Sequence, residues 1–187
     1  MRYANLASAL VLALTVTPAF AAASGQAKKS MKPVSDHEFL MNAAQGNMSE
    51  IELGKMAEAR ASNEAVKTFA KRMVTDHQKG LDSLKTVAAN EKVTLPMTLS
   101  TEDQQLKDKL SKLSGAAFDH AYMNAMVTDH RQDVAEFRTE SMHAKASDVK
   151  QYASSTLPTL EEHLKLAEST NTSIAKISHT DDKKPTR

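Results

Sequence analysis

The 187-residue sequence contains no cysteine or tryptophan, and only five glycines and five prolines. Ten turn-forming residues are too few to separate the many short strands of a β-sandwich or barrel. The absence of cysteine excludes disulfide bonds and thiol redox chemistry. Hydrophobic residues make up 41% and charged residues 25% of the chain, which is typical of a folded protein. Long helices are the architecture that this composition favours.

Excess charge and nucleotide-binding or hydrolytic motifs are also missing. Lys and Arg number 24 against 23 Asp and Glu, so the net charge of +1 gives no field that would attract nucleic acid. No glycine-rich phosphate loop and no nucleophile elbow occurs, so neither nucleotide binding nor triad hydrolysis is indicated. We therefore expect no nucleic-acid partner.

The N-terminus has the layout of a secretory signal peptide. Arg2 precedes an apolar run over 6–16, and Pro18 is followed by the small-x-small triplet 19–21. The apolar run is shorter than the roughly 20 residues that span a bilayer. We predict a signal peptide over 1–21, cleavage before Ala22, and a mature protein without a membrane span in the periplasm or secreted medium.

The sequence of the mature chain predicts one helical domain with flexible termini. We expect a flexible segment over 22–34, a folded domain over 35–169 and a disordered tail over 170–187. Ser35 and Glu38 form a capping box, and Ser62 with Asn63 caps a second helix. Helices are predicted at about 36–61, 64–90, 101–113, 116–143 and 148–169. The predicted fold is all-α, a ferritin-like four-helix bundle of two helical hairpins with a short connector helix.

An internal repeat supports the two hairpins. The two hairpin turns have similar sequences. Residues 59–62 and 66–70 (ARAS, VKTFA) correspond to residues 144–147 and 149–153 (AKAS, VKQYA). The 91–117 connector is long enough to cross the length of the bundle, as in ferritin-type folds. It is equally compatible with a folded-back cap, and the sequence leaves both arrangements open.

Each long helix turns an apolar stripe toward the core, and each stripe contains an ionisable residue near its middle. These four residues are Glu50, His77, His130 and His163. An unpartnered buried charge or imidazole costs several kcal/mol, so the four should satisfy one another or share a ligand. Imidazole nitrogens and a carboxylate suit Fe, Zn, Mn or Cu. The pattern predicts a transition-metal site at these four residues.

Neighbouring residues provide a second set of candidates. The segment 73–77 (MVTDH) recurs letter for letter at 126–130, which places a Met one helical turn before each His and an Asp beside it. Thioether with imidazole favours Cu(I), although Met more commonly fills cores. The second-tier candidates are Asp76, Asp129, Asp133, Glu136, Glu162, Met73 and Met126.

Several segments resemble the exported bacterial domain-of-unknown-function 4142 family. They are Phe39-Leu40, 50–54 (EIELG), 69–77 (FAKRMVTDH), Phe118-Asp119 with Tyr122, His130, and Leu157-Pro158 with His163-Leu164. The resemblance covers nearly all of 35–169. It implies a ferritin-like bundle in the periplasm or outer envelope, with Glu50, His77, His130 and His163 at the polar positions characteristic of that family.

One departure from di-iron ferritins limits what the resemblance implies. The Glu-x-x-His pairs of those proteins are missing, because Val74 and Leu160 stand three residues before His77 and His163. An ordinary ferroxidase centre is therefore not expected.

Two functions remain open from the sequence. The first is a metal-binding protein for metal handling or for protection against envelope or oxidative stress. The second is a metal-free structural or interaction bundle whose buried polar layer fixes helix register, and which binds a protein partner or a second copy of itself. A metal-dependent oxidase using the same residues is a less favoured third hypothesis.

Overall fold

The computed structural model describes residues 32–181, and the side chains of 32–176. It contains five helices, α1 (Asp36–Arg60), α2 (Glu64–Asn90), α3 (Thr101–Ser111), α4 (Gly115–His143) and α5 (Ser147–Asp181). No strand occurs within 32–181, so the all-α prediction is confirmed. The predicted signal peptide over 1–21 lies outside the described residues, as does most of the segment 22–34.

The last helix is longer than the sequence analysis predicted. It passes through Pro158 without a break and continues to Asp181, so 170–181 are helical rather than part of a disordered tail. Ala167 and Ile174 explain the continuation, because they lie seven residues apart on one face and are both buried in the core. Residues 182–187 lie outside the described range.

The helix ends confirm Ser35 and Asn63 as caps, whereas the Ser62 hydroxyl, also predicted to cap α2, donates to Asp119 instead. The Ser35 hydroxyl accepts a hydrogen bond from the backbone N–H of Glu38 at 3.1 Å. The Asn63 side chain accepts one from the backbone N–H of Ala65 at 2.9 Å. Both bonds satisfy helical donors that have no partner within the helix.

Contacts between helix ends settle the course of the connector. The Asn90 side chain, at the end of α2, donates to Asp148 at the start of α5 at 2.8 Å. Asp119, at the start of α4, instead accepts backbone N–H bonds from Ser62 and Asn63 in the α1–α2 turn at 3.0 and 2.9 Å. The chain therefore leaves α2 at one end and enters α4 at the other. The connector with α3 crosses the length of the bundle, which is the single long crossover of ferritin-like folds.

The two hairpins are related by an approximate two-fold axis. Asp36 accepts backbone N–H bonds from Lys145 and Ala146 in the α4–α5 turn, as Asp119 does from the α1–α2 turn. The two carboxylates lie 83 positions apart (119 − 36 = 83), and so do the residues that they bind. The aromatic pairs repeat too, since the ring centroids of Phe39–Tyr152 and of Phe69–Tyr122 are each 6.3 Å apart. Each hairpin thus caps the turn of the other.

The core consists of two apolar clusters with a polar layer between them. One cluster contains Leu53, Phe69 and Met123, toward the α1–α2 turn. The other contains Phe39 and Phe137, with further residues toward the α4–α5 turn. The layer between them contains buried polar residues from all four long helices, namely Asn47, Glu50, His77, His130 and His163. None of the described helices combines the length and hydrophobicity needed to cross a membrane.

Candidate metal centre

The three core histidines meet in the polar layer. The ring centroids lie 5.6 Å apart for His77 and His130, 5.3 Å for His77 and His163, and 5.4 Å for His130 and His163. One nitrogen from each ring can be chosen so that all three lie within 4.8 Å of one another. The rings come from α2, α4 and α5, so the cluster joins the two hairpins.

His77 is oriented by Asn47 on α1. The His77 Nδ1 lies 3.2 Å from the Asn47 Oδ1. The Asn47 amide nitrogen donates to the Ala43 carbonyl at 2.7 Å, which fixes which end of the carboxamide faces the ring. Because Oδ1 only accepts, the His77 proton resides on Nδ1 and the lone pair on Nε2.

His130 and His163 are oriented in the same manner by other acceptors. The His130 Nδ1 lies 3.0 Å from the Met126 carbonyl oxygen, one turn earlier on α4. The His163 Nε2 lies 3.0 Å from the Asp76 carboxylate. Each of these nitrogens donates to its oxygen, which places the lone pairs of the two rings on His130 Nε2 and His163 Nδ1.

The three remaining nitrogens are the unusual feature of the site. Among the described residues, His77 Nε2, His130 Nε2 and His163 Nδ1 are buried and have no hydrogen-bond partner. Burial lowers the pKa of all three imidazoles, to about 4 for His130. All three rings are therefore neutral at pH 7. Each ring thus has one free lone pair, and the three rings lie at the spacing of metal ligands, so together they can supply the imidazole donors that a transition-metal ion takes.

Glu50 lies next to His130 but is not part of the three-histidine cluster. Its Oε1 is 3.4 Å from His130 Nδ1, the nitrogen that binds the Met126 carbonyl. Burial, followed by the negative charge of Asp129, raises the pKa of Glu50 well above its usual value. The structure thus groups three of the four predicted ligands, and the fourth, Glu50, is a buried carboxyl group beside Nδ1 of His130 and outside that cluster.

Asp76 and Glu162 connect the site to the surface. Asp76 accepts hydrogen bonds from His163 and, at 3.2 Å, from the Nε of Arg72. The other two guanidinium nitrogens of Arg72 bind both oxygens of exposed Glu162 at 3.0 and 2.8 Å. These contacts hold the Asp76 carboxylate against His163, and the hydrogen bonds from His163 and Arg72 keep the pKa of Asp76 low despite partial burial.

The remaining acidic candidates lie around the layer. Asp129 adjoins Glu50, and the pKa of each is raised by burial. Asp133 lines a small cavity beside His77. Glu136 accepts a hydrogen bond from Asn42 at 3.0 Å and does not reach the histidines. Across residues 32–176, the cluster with metal-ligand spacing consists of the three histidines alone.

The two candidate methionines belong to the core. Met73 and Met126 are both fully buried in the apolar cluster toward the α1–α2 turn. Met126 contributes to the site through its backbone carbonyl, which orients His130. Their side chains pack in the hydrophobic core, which is the commoner role of Met in a helical bundle.

Asn47 and Gly80 both position His77, and neither was predicted from the sequence to have a role in the site. A Cβ at Gly80 would lie 2.7 Å from the Asn47 Oδ1, so only glycine leaves room for the carboxamide that orients the ring. The internal repeat could have identified Asn47 as a site residue. Asn47 lies 83 positions before His130 (130 − 83 = 47) and is its counterpart in the first hairpin.

Gly80→Ala is expected to weaken metal binding about 10- to 100-fold, the usual effect of losing a partner that orients a ligand. The added methyl displaces Asn47 and frees His77 to rotate. Gly46→Ala is the matched control, since a Cβ there meets no atom within 4 Å. It should leave affinity unchanged and stabilise α1 by up to about 1 kcal/mol. Metal titration of both variants measures the difference, and equal affinities would show that Asn47 has no orienting role.

Asp76→Asn should also lower metal affinity about 10- to 100-fold, because a carboxylate behind a histidine raises the basicity of the ligand. Glu162→Gln is the control on the same network, since it alters an exposed partner of Arg72 and leaves Asp76 in place. A competition titration against a chelator of known affinity compares the two variants. A loss of the same size in both would point to a general effect of surface charge.

Solved structures with the same fold were found by comparison of coordinates. A DUF305 fragment from Deinococcus radiodurans matches with a TM-score of 0.64 at 13% identity, covering 75% of this chain and 99% of that one. CopM in its Cu(II)-bound form matches with 0.64 at 15% identity, covering 76% and 99%. A DUF305 protein of Streptomyces coelicolor matches with 0.62 at 14% identity, covering 75% and 94%. At these identities the likeness concerns the fold.

The sequence itself was compared with curated proteins and with family models. No curated protein matches. The model of one family, described as "Domain of unknown function (DUF4142)", matches residues 20–170. That range contains all three clustered histidines and the residues that orient them. The chain belongs to the DUF4142 family.

Proposed function

We propose that this protein binds one transition-metal ion through His77 Nε2, His130 Nε2 and His163 Nδ1, and that it handles metal in an exported compartment. The observation that carries the proposal is a cluster of three buried histidines at metal-ligand spacing, each with one ring nitrogen that has no hydrogen-bond partner among the described residues. The export of the protein is supported by the signal-peptide pattern over 1–21.

The alternative, a polar layer that only fixes helix register, accounts less well for these nitrogens. Buried polar groups in such a layer hydrogen-bond to one another, and each one left unpaired costs about 1–3 kcal/mol. Here every histidine has one nitrogen bonded to an oxygen and the other left free, and the three rings lie at metal-ligand spacing. One metal ion satisfies all three at once.

The donor set narrows the choice of metal. Three neutral imidazoles suit copper and zinc, whereas Mn²⁺ prefers carboxylate and water ligands. The carboxylate behind His163 fits either metal, since it fixes the tautomer of the ring. The Cu(II)-bound form of CopM, a neighbour in fold, makes copper the first metal to test. The proposed role is binding and transfer of the ion rather than catalysis.

Metal content provides the direct test. The full chain is expressed without a His tag in copper-supplemented and zinc-supplemented medium, desalted, and analysed for metal by mass spectrometry. We expect one equivalent per chain, retained through desalting and removed by a strong chelator. Protein that retains no metal under either condition, yet folds normally, would favour the metal-free bundle.

A further inference from the structure

The three clustered histidines are shut off from solvent. His77 is 5% exposed, His130 0% and His163 1%. An ion in solution therefore reaches the cluster, or leaves it, only when a group that covers a histidine moves aside. The partners that hold the three rings indicate where such an opening forms.

Two of the rings are held by groups inside the protein. Asn47, which orients His77, is 7% exposed. The acceptor for His130 is the backbone carbonyl of Met126, which is part of α4. Moving either group away requires a change in core packing or in a helix backbone, and both are costly in a closely packed interior.

His163 is held at the surface instead. Its Nε2 lies 3.0 Å from the Asp76 carboxylate, and the Asp76 side chain is 21% exposed. A rotation of Asp76 into solvent breaks this bond and leaves the core packing intact. The His163 ring is then free to turn and to present its free nitrogen, Nδ1, to an ion at the opening.

Arg72 fastens Asp76 in its place. The Arg72 Nε donates to Asp76 at 3.2 Å, and its other two nitrogens donate to both oxygens of Glu162 at 3.0 and 2.8 Å. These bonds join α2 to α5 beside His163. Both Arg72 and Glu162 are accessible to solvent, and ion pairs of this kind open readily. A groove of about 460 Å³ between α2 and α5, lined by Arg72 and Leu166, gives the guanidinium group room to move aside.

We infer that Arg72 is a latch that controls metal exchange at the histidine cluster, and that the ion enters and leaves between α2 and α5 when Arg72 releases Asp76 and Glu162. This inference rests on the proposed metal site and adds its route of exchange. A latch changes rates and leaves the end states alone, so its loss should speed uptake and release by the same factor. If Arg72 only positioned Asp76, its loss would speed release alone, because His163 would become a weaker ligand.

Arg72→Met removes the latch and keeps an unbranched side chain of good helix propensity. Uptake of Cu(II) is followed in a stopped-flow instrument by the quenching of tyrosine fluorescence, and release by transfer to an excess of a chromophoric chelator. We expect both rate constants to rise at least about fivefold and the Kd to stay within about twofold. Glu162→Gln weakens the latch from α5 at an exposed position, and it should raise both rate constants about threefold.

Arg138→Met is the matched control, because Arg138 forms an exposed ion pair with Glu161 between α4 and α5. This variant should exchange copper at the wild-type rate. Wild-type rates in both latch variants would overturn the inference, and so would faster release without faster uptake, or equal acceleration in Arg138→Met. Protein that takes up no copper is recognised by metal analysis before any rate is measured. That result removes the proposed function itself, so the two failures are distinguishable.

Discussion

Replacing His77, His130 or His163 by alanine is expected to lower metal affinity by about a hundredfold or more. The free energy of metal binding at structural sites with four ligands is about 10–16 kcal/mol, so each ligand contributes about 3 kcal/mol. A loss of that size corresponds to roughly a hundredfold in affinity. Each histidine supplies one of the three free nitrogens, and none has a neighbour of the same kind to replace it. The measurement is a chelator-competition titration, with circular dichroism confirming that helical content is retained.

Two controls make this result specific. His37→Ala removes an exposed imidazole from the first turn of α1 and should not change affinity. Glu50→Gln should change affinity by less than about threefold, because Glu50 lies outside the three-histidine cluster and burial already favours its neutral form. Loss of binding in Glu50→Gln as severe as in the histidine variants would show that all four residues are ligands, as the sequence pattern alone suggested.

Metal binding is also expected to raise the melting temperature by about 8–16 °C. A ligand at a thousand times its Kd stabilises the folded state by about 4 kcal/mol, and each kcal/mol shifts the Tm of a domain this size by about 2–4 °C. The gain is available because the three nitrogens come from α2, α4 and α5 and are brought together only by folding. Differential scanning calorimetry with metal, and again with excess chelator, measures the shift.

His163→Ala is the control for the thermal experiment. Its apoprotein should melt close to wild-type apoprotein or somewhat below it, since the ring fills core volume. Added metal should then shift its Tm by no more than about 1–2 °C. An equal shift in wild type and variant would mean that the ion stabilises the fold from another site.

Much of the fold could be predicted because it is encoded locally. The caps at Ser35 and Asn63 and the apolar stripes identified the four long helices and the connector helix, with every bound except the end of α5 within two residues. The crossover could not be predicted, because it depends on which helix ends meet across the bundle. The Asn90–Asp148 contact that reveals it joins residues with no local relationship in the sequence. The length of α5 was underestimated because 170–181 is a mostly polar stretch whose apolar residues are Ile174, Ala175 and Ile177.

The histidine cluster could be predicted in part, because the helical periodicity of apolar residues identifies which residues face the core. One histidine on each of three seams indicated convergence, and the rings of His77, His130 and His163 lie within 5.6 Å of one another. Periodicity could not separate Glu50 from Asn47, which lie one turn apart on the same seam of α1. Which of the two residues lies at the level of the histidines depends on how far α1 is shifted along its axis relative to α2. Close contacts such as that between Gly80 and Asn47 determine this shift.

X-ray absorption spectroscopy at the copper edge of the loaded, untagged protein tests the central claim most directly. Three imidazole donors to one ion predict a spectrum with three histidine ligands. The multiple-scattering pattern of imidazole should fall to two rings in His130→Ala if that variant is loaded at high copper. A wild-type spectrum with one imidazole or none, or one dominated by sulfur from Met73 or Met126, would contradict the account.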